Sequence, residues 1–151
     1  MLLSYAGCLC GIAAMVRLLK YIWVAPCSLF GLCCGLFLLL IGGSVRQVSG
    51  ILEFSIGSGN PIPFFPFWAI TFGHVVLGLN ESALEYSRAH ELEHVRQYEV
   101  WGVLFFLAYP ASSLWQLLRG RNPYWYNYFE IQARQRSERG RFSDSLRGDD
   151  S

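Results

Sequence analysis

The chain has 151 residues, one domain's worth, of which 53% are hydrophobic and only 15% charged, well below the quarter usual in soluble proteins. Such a composition argues against a wholly soluble protein. A net charge of +1 leaves no electrostatic footprint for nucleic acid, and no basic stripe interleaves with aromatics outside a short arginine run near the end, so nucleic acid is not the expected partner.

Residues 1–16 carry no charge but are short for a membrane span, and Arg17 and Lys20 follow them. Residues 21–45 then run without a charged side chain and include the apolar string from Leu36 to Ile41. This exceeds the roughly 20 apolar residues that a bilayer requires, and it predicts a single transmembrane helix, with Pro26 near its start, where a helix tolerates proline best. Met15, Arg17 and Lys20 ahead of the span also read as the natural start of a signal anchor. The two basic residues favour a cytoplasmic N-terminus, which would place whatever follows on the outer, periplasmic side. All five cysteines, Cys8, Cys10, Cys27, Cys33 and Cys34, fall in these apolar stretches. They make neither a disulfide framework for a later domain nor plausible ligands within one. The membrane anchor is thus expected over 1–46.

A second, globular domain is expected over 47–140. Leu52, Phe54 and Ile56 alternate with Glu53 and Ser55, the period of a half-buried strand, and residues 57–63 are rich in Gly and Pro, as loops are. Residues 67–79, with β-branched Ile70, Thr71, Val75 and Val76, form the next strand candidate. Two strands joined by a loop of roughly ten residues suggest a small antiparallel sheet.

The chemistry centres on His90-Glu91-Leu92-Glu93-His94, which contains two of the chain's three histidines. Ser82 with Glu85 three residues later matches a capping box and predicts that a helix starts there, ending near Gly102. Residues four apart on a helix lie above one another, so His90 and His94 can reach one ion. Neutral imidazole suits one Zn²⁺, and a catalytic zinc takes three protein ligands plus an open position. Glu91, about 100° round the helix from His90, can serve as the general base that takes a proton from water. Tyr86, Gln97 and Tyr98 fall near the same face, whereas Glu93 and Glu99 lie off it and read as structural or solvated. His74, the third histidine, has three readings open to it: a ligand, a group hydrogen-bonded to a ligand or substrate, or a locally satisfied strand histidine.

Residues 100–118 are again uncharged but contain Pro110. A second span is possible on length, and a kinked or broken helix packed behind the motif helix against the membrane is preferred, because Trp and Tyr sit near both ends. Asn122-Pro123 and Asn127 with Glu130 are overlapping helix-start signals. Zinc needs a third ligand, and few acidic residues follow the motif helix, so Glu130 is preferred over the alternative that it only caps its own helix. That helix should end near Arg139. Residues from Arg136 onward, and 141–151 in particular, have the composition of a disordered tail, whose arginines, with Arg119 and Arg121, could meet anionic headgroups.

The string from His90 to Gly102, followed by Asn127, Phe129, Glu130 and Ala133, resembles the zincin metallopeptidases, in a minimal gluzincin arrangement, and in particular small membrane-anchored bacterial proteins of that type. The resemblance covers roughly residues 69–136. It implies an α+β mini-zincin behind a transmembrane helix in a bacterial inner membrane, with His90, His94 and Glu130 as zinc ligands and Glu91 as general base. The implied reaction is hydrolysis of a peptide or protein substrate. Tyr98 or Tyr126, near in sequence, could donate to an oxyanion. The alternative from another class is a non-catalytic metal-binding or membrane-associated interaction module. A fourth protein ligand, for instance His74, would favour that alternative.

Overall fold

The computed structural model describes residues 2–57 and 68–148, with side chains described for 15–57 and 68–143. The fold is α+β. A 39-residue helix, α1 (Leu2–Leu40), is followed by strands β1 (Ser44–Val48), β2 (Ile51–Ser55), β3 (Ala69–Phe72) and β4 (Val75–Gly78), and then by the motif helix α2 (Glu81–Trp101). A single 3-10 turn, Gly102–Leu104, leads into α3 (Phe105–Leu118), and α4 (Tyr128–Gly148) closes the described chain. By length and composition, Met15–Leu40 and Glu81–Leu118 are each long and apolar enough to cross a membrane.

The sheet has the order β1-β2-β4-β3 and is mixed, which corrects the expected antiparallel pair. β2 and β4 run parallel, with Leu52 opposite Val75, while β1 with β2 and β3 with β4 are antiparallel hairpins. The stretch expected as one strand over 67–79 turns at Gly73, whose φ of +62° is open to glycine but costly for other residues. Most of the expected loop over 57–63 lies outside the described residues.

Both faces of the sheet are covered, so β2 is not the half-buried strand that its alternation suggests. Phe54, Val75 and Leu77 pack towards α1 with Leu32 and Leu38, and Ile51 and Val76 pack towards α2 with Leu84 and Val95. Glu53, on the α2 side, is buried because Arg46 and Arg88 both reach it, at 2.8 Å each. Burial raises its pKa, but hydrogen bonds from Arg88 and Arg46 outweigh that and hold the carboxyl below its ordinary range.

The second half of α1 is a core element of this domain rather than a detached anchor. A Cβ on Gly31 would lie 2.8 Å from the Cβ atoms of Phe72 and Val75, and one on Gly35 would lie 2.6 Å from the Phe54 ring. Glycine at these two positions lets helix and sheet approach closely. Val24 and Cys27 join Tyr98, Phe105 and Phe129 in a further buried cluster. β1 begins at Ser44, two residues before the expected end of the anchor.

Helix ends differ from their sequence signals in informative ways. Asn80, not Ser82, caps α2, its Oδ1 accepting from Ala83 N at 2.7 Å. The break after α2 comes at Gly102, with φ of +54°, while α3 continues through Pro110. Asn127 accepts from Phe129 N at 2.9 Å and starts α4, whereas Asn122 caps only a turn. α4 runs on to Gly148 instead of ending near Arg139. Gly140 costs a helix interior only about 1 kcal/mol, and Arg141 donates to the Tyr86 carbonyl at 3.0 Å, tying the residues beyond it to α2.

Candidate metal centre

α2 and α4 pack against each other, and their contact brings His90, His94 and Glu130 together, with ligating atoms all within 4.8 Å of one another. His90 Nε2 lies 3.1 Å from Glu130 Oε2, and His94 Nε2 lies 3.3 Å from Glu130 Oε1. The two Nε2 atoms are 3.1 Å apart, with rings nearly perpendicular at 88°. Glu130 comes from the first turn of α4, and Asn127 performs the capping, so the glutamate is free to face the histidines.

The surroundings fix each of these groups. His94 Nδ1 lies 2.8 Å from Gln97 Oε1. A glutamine oxygen only accepts, so Nδ1 carries the proton and Nε2 presents its lone pair to the cluster. Gln97 in turn donates to the Phe129 carbonyl at 3.0 Å and to Gln132 Oε1 at 3.1 Å, bridging the two ligand-bearing helices. Tyr109 donates to Glu130 Oε1 at 2.8 Å. Asn127 Nδ2 donates to the Tyr109 carbonyl and to Ser113 Oγ, binding α3 to α4.

The electrostatics call for positive charge between the three groups. Burial raises the Glu130 pKa, but the adjacent His90 and His94 rings prevail and hold it far below the carboxylate range. Burial lowers that of His94, yet the adjacent Glu130 carboxylate and the Glu91 charge raise it overall. Burial and the Glu130 charge push the Tyr124 hydroxyl up to about 12, and Tyr109 is pushed upward by the same causes. Glu130 Oε2 is buried and has no hydrogen bond. That oxygen lies 3.1 Å from His90 Nε2 and 3.9 Å from the Arg134 guanidinium, and two imidazoles with one carboxylate fit a metal ion, which these residues can hold.

Glu91 is buried, and its Oε2 accepts from Thr71 Oγ1 of β3 at 2.7 Å. Its charge reaches His94, Tyr109 and Tyr124, so it stands beside the cluster without belonging to it.

His74 is placed elsewhere. Its backbone N–H donates to Ser28 Oγ at 3.0 Å, its ring stacks on Tyr21 at 4.3 Å, and Nε2 lies 3.4 Å from Glu99. Because β4 packs on α1, this histidine faces the anchor helix, and it is neither ligand nor ligand support. Tyr98 points into the apolar cluster with Val24 and Phe105, where burial raises its pKa. Tyr126 is half exposed in the turn before α4, with Arg121 over its ring at 5.8 Å. Neither tyrosine touches the ligands, and the hydroxyls near Glu130 are those of Tyr109 and Tyr124. Glu93 is held by Arg96 and faces Arg136, and Glu99 by Lys20, so both are structural.

Sequence reasoning missed Tyr109, Thr71 and the bridging role of Gln97. A tyrosine in an otherwise apolar helix and a glutamine one turn after His94 were the available signals. No protein-family model matches the chain, and the comparisons with curated proteins and solved structures found no match.

Proposed function

We propose that the chain is a membrane-attached zinc metallopeptidase that hydrolyses peptide bonds with Glu91 as general base. One observation carries this reading: two histidines one turn apart and a glutamate from another helix converge, with a second, separately anchored carboxylate alongside. Zinc is the favoured ion because two imidazoles and one carboxylate are the ligand set of catalytic zinc sites that keep a fourth position open. His74 lies outside the set, so among the described residues no fourth protein ligand closes the site. This supports catalysis over the purely structural alternative.

His90, His94 and Glu130 would hold the ion, which when bound supplies Lewis acidity, polarising a carbonyl and lowering the pKa of water to about 7. The Thr71 hydroxyl fixes one oxygen of Glu91, orienting the carboxylate to take the proton from the attacking water and to deliver it to the leaving amine. Gln97 keeps His94 in the tautomer that offers Nε2. Tyr109 holds Glu130 in place, and Tyr124, whose hydroxyl stays protonated through the physiological range, can donate to developing charge on the substrate oxygen. β3, which supplies Thr71, is an edge strand of the sheet, and an extended peptide can pair with such an edge.

Elemental analysis of the detergent-purified chain tests the reading. About one zinc per chain is expected, lost in His90→Ala and Glu130→Ala. Glu91→Gln should keep the zinc and abolish cleavage of a mixed peptide library. No metal in the wild type under zinc-replete conditions, or cleavage by Glu91→Gln at the wild-type rate, would overturn it.

A further inference from the structure

The apolar residues of α1 are expected to form a tether, with the metal domain beyond the membrane. The packing also fastens this helix to the domain. Lys20 pairs with Glu99 at 2.7 Å, Tyr21 donates to the Gly50 carbonyl at 3.2 Å, Ser28 accepts from His74 N at 3.0 Å, and Gly35 abuts Phe54. These contacts extend over about 15 residues of helix, or roughly 22 Å. Along that length one side of α1 is fastened to the domain, and the other exposes Leu18, Ile22, Leu29, Phe30, Phe37 and Leu40.

α3 presents a second apolar face. Of its residues only Phe105 is buried, while Leu107 and Leu118 are 71% and 73% exposed, with Leu114 and Trp115 between them also exposed. At 14 residues it is about 21 Å long, too short to cross a hydrocarbon layer of about 30 Å. α2, which precedes it, carries charges from Glu81 to Glu99 and is separated from it by the turn at Gly102, so the pair does not form one crossing rod. The exposed Val103 and Leu104 of the intervening turn, which packs on α1, link the outer faces of α1 and α3. Gly102 sits against the Trp23 ring, and Phe30 meets Phe106 at 5.9 Å.

The end of α3 has the chemistry of a headgroup layer. Arg119 lies over Trp115 at 4.4 Å and Arg121 over Tyr126 at 5.8 Å, while Trp125 stacks under Arg134, whose guanidinium is turned inward to Glu130 at 3.9 Å. Both tryptophans are more than half exposed. Aromatic rings beside guanidinium groups at the edge of an apolar face match the anionic interface of a bilayer, where tryptophan partitions and arginine meets phosphate. The polar side of the domain, with Arg46, Glu85 and Arg88, lies across the sheet from α1.

We propose that the joined outer faces of α1 and α3 form one lipid-contacting surface that seats the domain on an anionic bilayer. Tyr109, on the inner side of α3, touches Glu130. The metal-ligand cluster is therefore held about one helix diameter, roughly 10 Å, from the lipid. Resting on the peptidase reading, this favours polypeptide segments that emerge from the membrane as substrates over free peptides in bulk water.

The test reads lipid contact without turnover. The full chain is placed in nanodiscs of phosphatidylcholine and phosphatidylglycerol, with and without bromine on the acyl chains, and Trp115 emission is isolated as wild type minus Trp115→Phe. More than half of that emission should be lost in brominated lipid, and aqueous iodide should leave it unchanged. A second variant, Leu118→Trp, should gain emission that brominated lipid quenches in the same way. Emission insensitive to bromine and quenched by iodide would overturn the surface. Emission shielded from both, in discs that hold two chains, would assign the face to a second copy and also overturn it. Lipid quenching in a chain that binds no zinc would overturn the peptidase reading and leave the surface standing.

Discussion

Gln97→Met removes hydrogen bonding at the joint between the two ligand-bearing helices while nearly conserving side-chain volume. In the wild type Gln97 fixes His94 at 2.8 Å and holds the first turns of α4 through Phe129 O and Gln132 Oε1. Methionine offers His94 Nδ1 no comparable acceptor, so the ring can protonate on Nε2 and turn its lone pair away from the cluster. Loss of such a ligand-orienting partner lowers metal affinity by about 10–100-fold, equivalent to about 1.4–2.7 kcal/mol. The two lost bonds to α4 cost about 1 kcal/mol each, and they leave the buried Phe129 carbonyl without this donor. Zinc affinity should be measured by competition with a fluorescent chelator, alongside circular dichroism to establish that the helices persist. A folded Gln97→Met chain that binds zinc as tightly as wild type would refute the claim that this side chain sets the His94 tautomer.

Three further outcomes follow from the same geometry. His74→Ala should retain about one zinc per chain, because His74 packs with Tyr21, Ser28 and Glu99 and not with the ligands; loss of zinc with the fold intact would reinstate it as a ligand. Gly35→Ala should lower thermal stability in detergent by about 1–3 kcal/mol, since the added Cβ meets the Phe54 ring at 2.6 Å; an unchanged melting temperature would contradict the close α1–sheet contact. Glu53 has its folded pKa depressed below the ordinary 4.5 by Arg88 and Arg46 acting against burial. Its stabilisation is therefore fully present above that ordinary value and lost as pH falls through the lower folded value. Glu53→Gln should flatten this acidic part of the stability profile and destabilise the chain at pH 7 by about 1–3 kcal/mol, a figure discounted because both arginines are partly exposed. Urea titrations at several pH values would show whether the slope disappears.

Local pattern carried the candidate metal site and the helices a long way. The spacing of His90 and His94 is a helical repeat, so one α-helix is enough to put both imidazoles on one face, and a residue string records that directly. Glu130 was reachable because its chemistry is scarce after the motif helix and Asn127 marks a helix start just before it. Other features depended on contacts between residues distant in the chain. Parallel pairing of β2 with β4 is settled by what covers both faces of the sheet, and alternation within either strand is silent on it. The fate of each half-polar side chain was likewise decided by its neighbours. Glu53 is buried because arginines from β1 and α2 converge on it, His74 faces α1 because β4 does, and Tyr109 rather than Tyr98 reaches Glu130 because α3 folds back against α4. The apolar run in α1 advertised a membrane helix through its composition, but hydropathy sums a helix over its whole circumference. Only the packed structure shows that one side of that helix is domain core and the other is open, and this division decides how the chain can meet a bilayer.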